Sequence, residues 1–310
     1  MNEIRGMLLP LLTAFTDDGR IDVPVMEQLV DFYIDAGVNA LFAGGSFGQG
    51  PAMELGERKQ LADVVIGRTR GRVPVVFHAG TPDAHTAIEL GRYALAKGAT
   101  ATAYVGPYYY DRTPDEVRAH FRTIGQAIRE PILLYNNPGY QGYAIGVEAV
   151  VKLREDTPHL FGAKLAMGSV DEARIHHVAL GPDFRIFSLG STLFPGMLVG
   201  MAGSVSPPLA MYPQLGVELV RAIDAKDYVR AANLQAAAID FHSAFLTPVL
   251  KRETGRKIYI AALRRFGIEI KRYPRWPQTG EVSPARQAWL DELYARAAAA
   301  LAANPALTPA

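Results

Sequence analysis

The chain has 310 residues, 49% apolar and 20% charged, which is ordinary globular usage and excludes a disordered or coiled-coil protein. Lys and Arg total 32 against 31 Asp and Glu, a formal charge of +1, too small for the electrostatic footprint that nucleic acid or an anionic membrane requires. The absence of cysteine excludes disulfides, thiolate metal ligands and a cysteine nucleophile, and makes the cytoplasm the expected location.

The first apolar run is interrupted by Pro10 and is too short for a signal peptide or a membrane span. It predicts instead a first strand, GMLLPLL (6–12). VPVMEQLVDFYIDAG follows with apolar residues at helical spacing and a closing glycine, Gly37. NALFAG (39–44) is the second strand, GERKQLADVVIGRT the next helix and VPVVFHAG (73–80) the third strand. DAHTAIELGRYALAKG, ATAYV (101–105), PDEVRAHFRTIGQAIRE and PILLYN (131–136) continue the alternation. LFGAKLA (160–166), FRIFSLG (184–190) and AGSVS (202–206) complete it. Strands alternating with helices predict an α/β fold, most simply a (β/α)8 TIM barrel over residues 1–225. A doubly wound open sheet would carry G-x-G-x-x-G after its first strand, where this chain has TAFTDDGRID. After Ala225 the strands stop: KDYVRAANLQAAAIDFHSAFL, GRKIYIAALRRFG and SPARQAWLDELYARAAAALAA predict a C-terminal helical appendage, 226–310, with a frayed tail NPALTPA.

Barrel chemistry sits where the strands end, which makes Ser46, His78, Tyr108, Tyr109, Tyr135, Lys164, Gly190 and Ser206 the candidates. Asp and Glu are missing from that set and His is not clustered, so no catalytic metal is expected. What remains is one amine and several hydroxyls. A neutral lysine amine attacks ketones and aldehydes, and burial among apolar neighbours disfavours the charged form of a lysine. Tyr135, one strand earlier, could shuttle the protons that imine formation requires. A lysine that snorkels to solvent and a tyrosine that only packs fit the same residues. The Gly-rich AGGSFGQGP (43–51) can turn backbone N–H groups toward a carboxylate but matches neither nucleotide fingerprint, and a plain tight turn is its alternative. His78 could touch the distal part of a substrate or simply pack. His176 and His177 are expected at the surface.

These residues resemble the dihydrodipicolinate synthase and N-acetylneuraminate lyase family of class I, pyruvate-dependent aldolases. PLLTAFTDDGRID is similar to that family's opening strand and loop, GGSFGQG to its Gly-Thr-Thr-Gly-Glu-Ser segment and GPYYYDRTPDEVRAHF to its Pro-Tyr-Tyr segment. LLYNNPGYQG resembles its Tyr-Asn-x-Pro strand end and GAKLAMGS its Lys-x-x-x-Gly strand. The resemblance covers nearly the whole chain, with its motifs in order, and implies a barrel with a helical C-terminal domain. It further implies that Lys164 forms a Schiff base with a 2-oxo acid, that Tyr135 relays protons, and that Ser46 and Tyr109 complete a hydroxyl relay. Tyr109 would reach across a subunit interface, so a homodimer or homotetramer is implied. The backbone around Gly45, Ser46 and Phe47 would hold the substrate carboxylate, and Tyr140, Gly190, Ser206 and His78 would face the rest of the substrate. No external cofactor is implied.

The departures narrow the expectation. Phe47 stands where relatives have a hydroxyl and is expected to narrow the carboxylate pocket; Gln49 and Leu165 replace acids. Tyr140 replaces the Arg with which dihydrodipicolinate synthases bind the aspartate semialdehyde carboxylate, and tyrosine lacks that bidentate fork. The loop LGSTLFPG is shorter than in those relatives and lacks their acids. The expectation is a class I lyase, aldolase or dehydratase, for pyruvate or a longer 2-oxo acid such as a 2-keto-3-deoxy sugar acid or a hydroxylated 2-oxo acid. The alternatives are a dihydrodipicolinate synthase proper, a non-catalytic 2-oxo-acid binder, and a metal-dependent barrel lyase.

Overall fold

The computed structural model describes residues 4–166, 169–246, 256–276 and 281–303. Gly168 of the Lys-x-x-x-Gly motif and the tail 304–310 lie outside the described residues. Eight parallel strands close into one barrel: β1 (Gly6–Pro10), β2 (Ala40–Ala43), β3 (Val75–His78), β4 (Ala101–Val105), β5 (Ile132–Asn136), β6 (Leu160–Leu165), β7 (Arg185–Ser188) and β8 (Gly203–Ser204). β8 returns to pair with β1 through Gly6 opposite Gly203 and Met7 opposite Ser204. The strands read as short apolar runs because helices cover one face and the barrel interior buries the other.

Side chains alternate across each strand, which divides the core in two. Leu8, Phe42, Val76, Ala103, Leu133 and Tyr135 belong to the barrel interior. Leu9, Leu41, Val75, Phe77, Leu134, Ala163 and Leu165 pack outward against the helices. The same alternation turns Lys164 and His78 inward. Leu165 therefore lies in the helix layer, and the expected loss of a negative charge beside the amine does not follow from its identity.

The helices after the strands include α2 (Leu55–Thr69), α6 (Val147–Asp156) and α8 (Leu193–Leu198), and four others start on side-chain caps. Asp22 caps α1 (Val23–Asp35), Asp83 caps α3 (Ala84–Ala96) and Ser169 caps α7 (Val170–Leu180), while Thr113 and Glu116 form a reciprocal capping box on α4 (Pro114–Ala127). Such caps are each worth about 1 kcal/mol. α7 brings a correction: His176, expected at the surface, is buried, with Nδ1 2.8 Å from the Glu172 carbonyl one turn earlier.

After α9 (Pro213–Asp224) come α10 (Tyr228–Leu246) and the further helices Lys257–Arg264 and Pro284–Ala302. α10 packs chiefly against α9 and Pro284–Ala302. Leu234, Phe241, Leu290 and Tyr294 are continuous with the outer core of the barrel, and the Tyr294 hydroxyl donates to the Met211 carbonyl at 2.6 Å. No helix among the described residues is long and apolar enough to cross a membrane.

Candidate active site

Tyr135 and Lys164 are directly opposed on neighbouring strands and point into the barrel near the C-terminal ends of β5 and β6. Lys164 Nζ lies 3.6 Å from the centre of the Tyr135 ring and 4.9 Å from that of Phe42. Both residues are buried, Lys164 at 8% exposure. The Tyr135 oxygen accepts a hydrogen bond from Asn137 Nδ2 at 2.7 Å, and the Ser46 and Lys164 side chains bear on the same oxygen. Burial, the largest single influence, pushes this phenol up; the Lys164 charge and the three hydrogen-bonding side chains outweigh it and hold the phenol below its ordinary value. A phenol in that state is suited to take and return a proton at a neighbouring oxygen. Asn137 was missed by sequence reasoning, although the polar Asn-Asn step before Pro138 was a readable signal.

Ser46 comes to Tyr135 on the loop after β2. Gly44 turns this loop at φ +72°, and Gly50 returns so close that a Cβ would stand 1.9 Å from the Gly44 carbonyl, which only glycine permits. The loop is held from both sides. Thr13 Oγ1 donates to the Gly48 carbonyl at 2.6 Å. From the C-terminal segment, Arg256 Nη1 donates to the Ser46 and Phe47 carbonyls at 3.2 and 3.4 Å, and the Tyr273 hydroxyl donates to the Phe47 carbonyl at 2.9 Å. The Gln49 side-chain oxygen accepts the Arg275 N–H at 2.7 Å. Because a trans peptide points its N–H opposite to its C=O, fixing these two carbonyls toward Arg256 turns the Phe47 and Gly48 N–H groups the other way. The ring of Phe47 does not narrow a substrate pocket as expected. It turns to the C-terminal helices, 4.8 Å from the Tyr259 ring and 5.8 Å from Tyr273, both edge-on.

A cavity of about 230 Å³ opens beside this loop, with Ser46, Val105, Tyr108, Tyr140, Arg256 and Trp276 in its wall. Ser46 links it to the Tyr135 phenol. Tyr140 sits on the short helix α5 (Pro138–Gln141), whose position is set by Asn136 and Gln141. The Gln141 amide donates to Asn136 Oδ1 at 2.9 Å, and Asn136 donates to the Ile145 carbonyl at 2.8 Å. Arg256 and Trp276 come from the C-terminal segment, where sequence reading placed no site residue.

Other candidates stand apart from this cavity. His78 is wholly buried, edge-on to Tyr135 at 5.7 Å between ring centres. Burial first, then the charges of Arg58 and Lys164, hold it well below the ordinary imidazole value and keep it neutral. It packs in the barrel interior against Phe42 and Tyr135. Gly190 and Ser206 are buried against each other: a Cβ on Gly190 would meet Ser206 Oγ at 2.8 Å. Gly45 is buried over the Phe42 ring. Tyr109 lies at 85% exposure with φ 82°, its ring edge-on to Tyr110, and is not gathered with Lys164 in the single chain. Among the described residues no three His, Asp or Glu side chains stand together as a metal site.

Comparison with known proteins places the chain in a family. The model of the dihydrodipicolinate synthetase family matches residues 3–293. A 4-hydroxy-tetrahydrodipicolinate synthase of Nitrobacter hamburgensis is 31% identical over 284 residues, covering 90% of this chain and 94% of the relative. The dihydrodipicolinate synthase of Aquifex aeolicus superposes with TM-score 0.85 at 27% identity, covering 94% of this chain and 98% of that one. YagE, a prophage protein of the dihydrodipicolinic acid synthase family from E. coli K12 in complex with pyruvate, superposes with TM-score 0.86 at 26% identity, covering 95% and 99%. With its closed barrel and the family match spanning nearly its whole length, the chain belongs to the dihydrodipicolinate synthetase family.

Proposed function

We propose that Lys164 forms a Schiff base with pyruvate or a longer 2-oxo acid and that Tyr135 handles the protons of that reaction. As a member of its family the chain is a class I lyase, and the relative YagE was crystallised with pyruvate. The observation that carries the reading is the opposed pair itself, an inward amine 3.6 Å from the ring whose oxygen also meets Ser46 and Asn137. The neutral amine adds to the C2 carbonyl; Tyr135 protonates the oxygen, water leaves, and a protonated imine remains. The imine draws electrons from C3, so that breaking a C3–C4 bond or losing a C3 proton leaves an enamine. In the reverse direction the enamine adds to an aldehyde.

In this reading Ser46 connects Tyr135 to bulk protons, and the N–H groups at Phe47 and Gly48 offer the donors for the substrate carboxylate near Gly45 and Ser46. Tyr109, extended from the barrel mouth, would complete the hydroxyl relay in a second copy, making the working unit a homodimer or homotetramer in the cytoplasm. Tyr140 argues against a dihydrodipicolinate synthase proper, because it cannot provide a bidentate carboxylate contact. The substrate is a hydroxylated 2-oxo acid, the class that also contains the 2-keto-3-deoxy sugar acids.

Borohydride added with pyruvate tests the proposal. Reduction of the imine should add a stable adduct to the peptide carrying Lys164, and Lys164→Ala should take up none. A native mass in the treated wild-type protein would reduce the chain to a binder without imine chemistry.

A further inference from the structure

We infer that the cavity beside the Lys164–Tyr135 pair receives an aromatic ring, so that the carbonyl partner of the pyruvate enamine is an aryl aldehyde. This inference rests on the Schiff-base reading above and specifies the substrate of the same site. Most of the cavity wall is carbon, contributed by Val105 and by the rings of Tyr108, Tyr140 and Trp276. An apolar cavity of ~150 Å³ accepts benzene, so about 230 Å³ has room for a phenyl group and the carbon that joins it to the reacting centre.

Two polar side chains of the wall, Ser46 and Arg256, are engaged with the protein, while the Gln49 amide nitrogen in the same wall has no hydrogen-bond partner among the described residues. Ser46 bears on the Tyr135 oxygen. Arg256 donates through Nη1 to two loop carbonyls and the Tyr273 hydroxyl, and its guanidinium lies 5.2 Å from the centre of the Trp276 ring. Beyond the Gln49 amide and the Tyr108 and Tyr140 hydroxyls the wall gives a polyhydroxylated tail few partners, and each buried hydroxyl left unpaired costs about 1–3 kcal/mol. An aryl ring gains from the same wall through edge and stacking contacts.

The reaction balances without a further reactant. A 4-aryl-4-hydroxy-2-oxobutanoate forms the protonated imine with Lys164, releasing water. Tyr135 as phenolate takes the C4 hydroxyl proton, the C3–C4 bond breaks, and its electron pair passes to the imine as an enamine while the aryl aldehyde departs. The enamine gains a proton at C3, and water hydrolyses the imine to pyruvate and free Lys164. Bond formation runs the same steps backward.

Pyruvate release would be measured for 4-hydroxy-2-oxo-4-phenylbutanoate, 2-keto-3-deoxygluconate and 4-hydroxy-2-oxoglutarate. The phenyl compound is expected to exceed both others in kcat/KM by on the order of 100-fold, a pocket-level discrimination. Tyr140→Ala should raise KM for the phenyl compound by about tenfold, and Tyr140→Phe should restore it. If wild-type protein forms the borohydride adduct with pyruvate but turns over the sugar acid or the dicarboxylate as well as the phenyl compound, the aryl assignment is overturned and the imine reading survives. If no adduct forms, both fall together.

Discussion

Lys164 and Tyr135 face each other across the β5–β6 ladder, so no loop motion is needed to bring amine and phenol together. Their separation is fixed by backbone pairing, the most rigid connection the fold offers. Lys164→Ala should therefore abolish turnover while leaving the fold in place, because the side chain contributes contacts to two rings but no structural ion pair among the described residues. Lys164→Arg should be equally inactive, since a guanidinium does not form the imine. Pyruvate release and far-ultraviolet circular dichroism, measured on the same samples, check both halves; full activity in either variant would end the mechanism.

Tyr135→Phe should slow kcat by about two or more orders of magnitude, as loss of a proton relay does. The pH dependence adds a sharper criterion. The phenol is held below its ordinary value, so its conjugate base is available at lower pH than that of a free tyrosine, near 10. Activity limited by that base should rise with pH through an apparent pKa below the free-tyrosine value, and the rise should vanish in Tyr135→Phe. A basic limb that persists unchanged in the variant would assign it to another group.

Asn137 tests the same assignment from the side. Its amide donates to the Tyr135 oxygen and favours the phenolate, so Asn137→Ala should move the basic limb of the profile to higher pH. Asn137→Asp reverses the sign of the neighbour and should move it further. A variant that loses activity at every pH without moving the limb would mark Asn137 as a packing residue.

Strand positions were legible in the sequence because each barrel strand is a short, fully buried apolar run bounded by turns, and the inward direction of Lys164 follows from the two-residue period once its neighbours are assigned. Tyr135 and Ser46 were readable as strand-end groups. Arg256, Tyr273 and Trp276 were not: they approach the loop from more than 200 positions away in the chain, and no local pattern encodes such a contact. The ring directions of Phe47 and His78 were not legible for a related reason. A residue at a strand end announces its depth along the barrel, but whether its ring turns to the cavity or into packing depends on partners such as Tyr259 and Phe42 on other elements.

The C-terminal grip on the loop makes Arg256 a positioning residue. Arg256→Met keeps much of the stem but removes the donors to the Ser46 and Phe47 carbonyls. Loss of such bonds is worth about 0.5–1.5 kcal/mol each, so KM for pyruvate should rise about tenfold, with a smaller change in kcat. Arg256→Lys, retaining one charged donor group, should recover part of the loss. An unchanged KM in Arg256→Met would show that the loop holds its shape without this contact.

His78 links stability to pH. It is fully buried between Phe42 and Tyr135, and its own carbonyl accepts from Arg58 at 2.8 Å. Burial, reinforced by the positive charges of Arg58 and Lys164, keeps the ring neutral to well below its ordinary value of 6.5. The unfolded chain takes up a proton at this histidine near pH 6.5 and the native protein does not. Between those two pKa values the unfolded state binds more protons, so stability falls as pH drops below about 6.5 and the fall ends only where the native imidazole itself protonates. His78→Leu removes that contribution while keeping an apolar side chain of similar size. Urea denaturation from pH 8 to pH 5 should give a wild-type midpoint that declines more steeply toward acid than that of the variant. Parallel curves would mean that His78 carries no such linkage and that its neutrality in the barrel is not what the packing enforces.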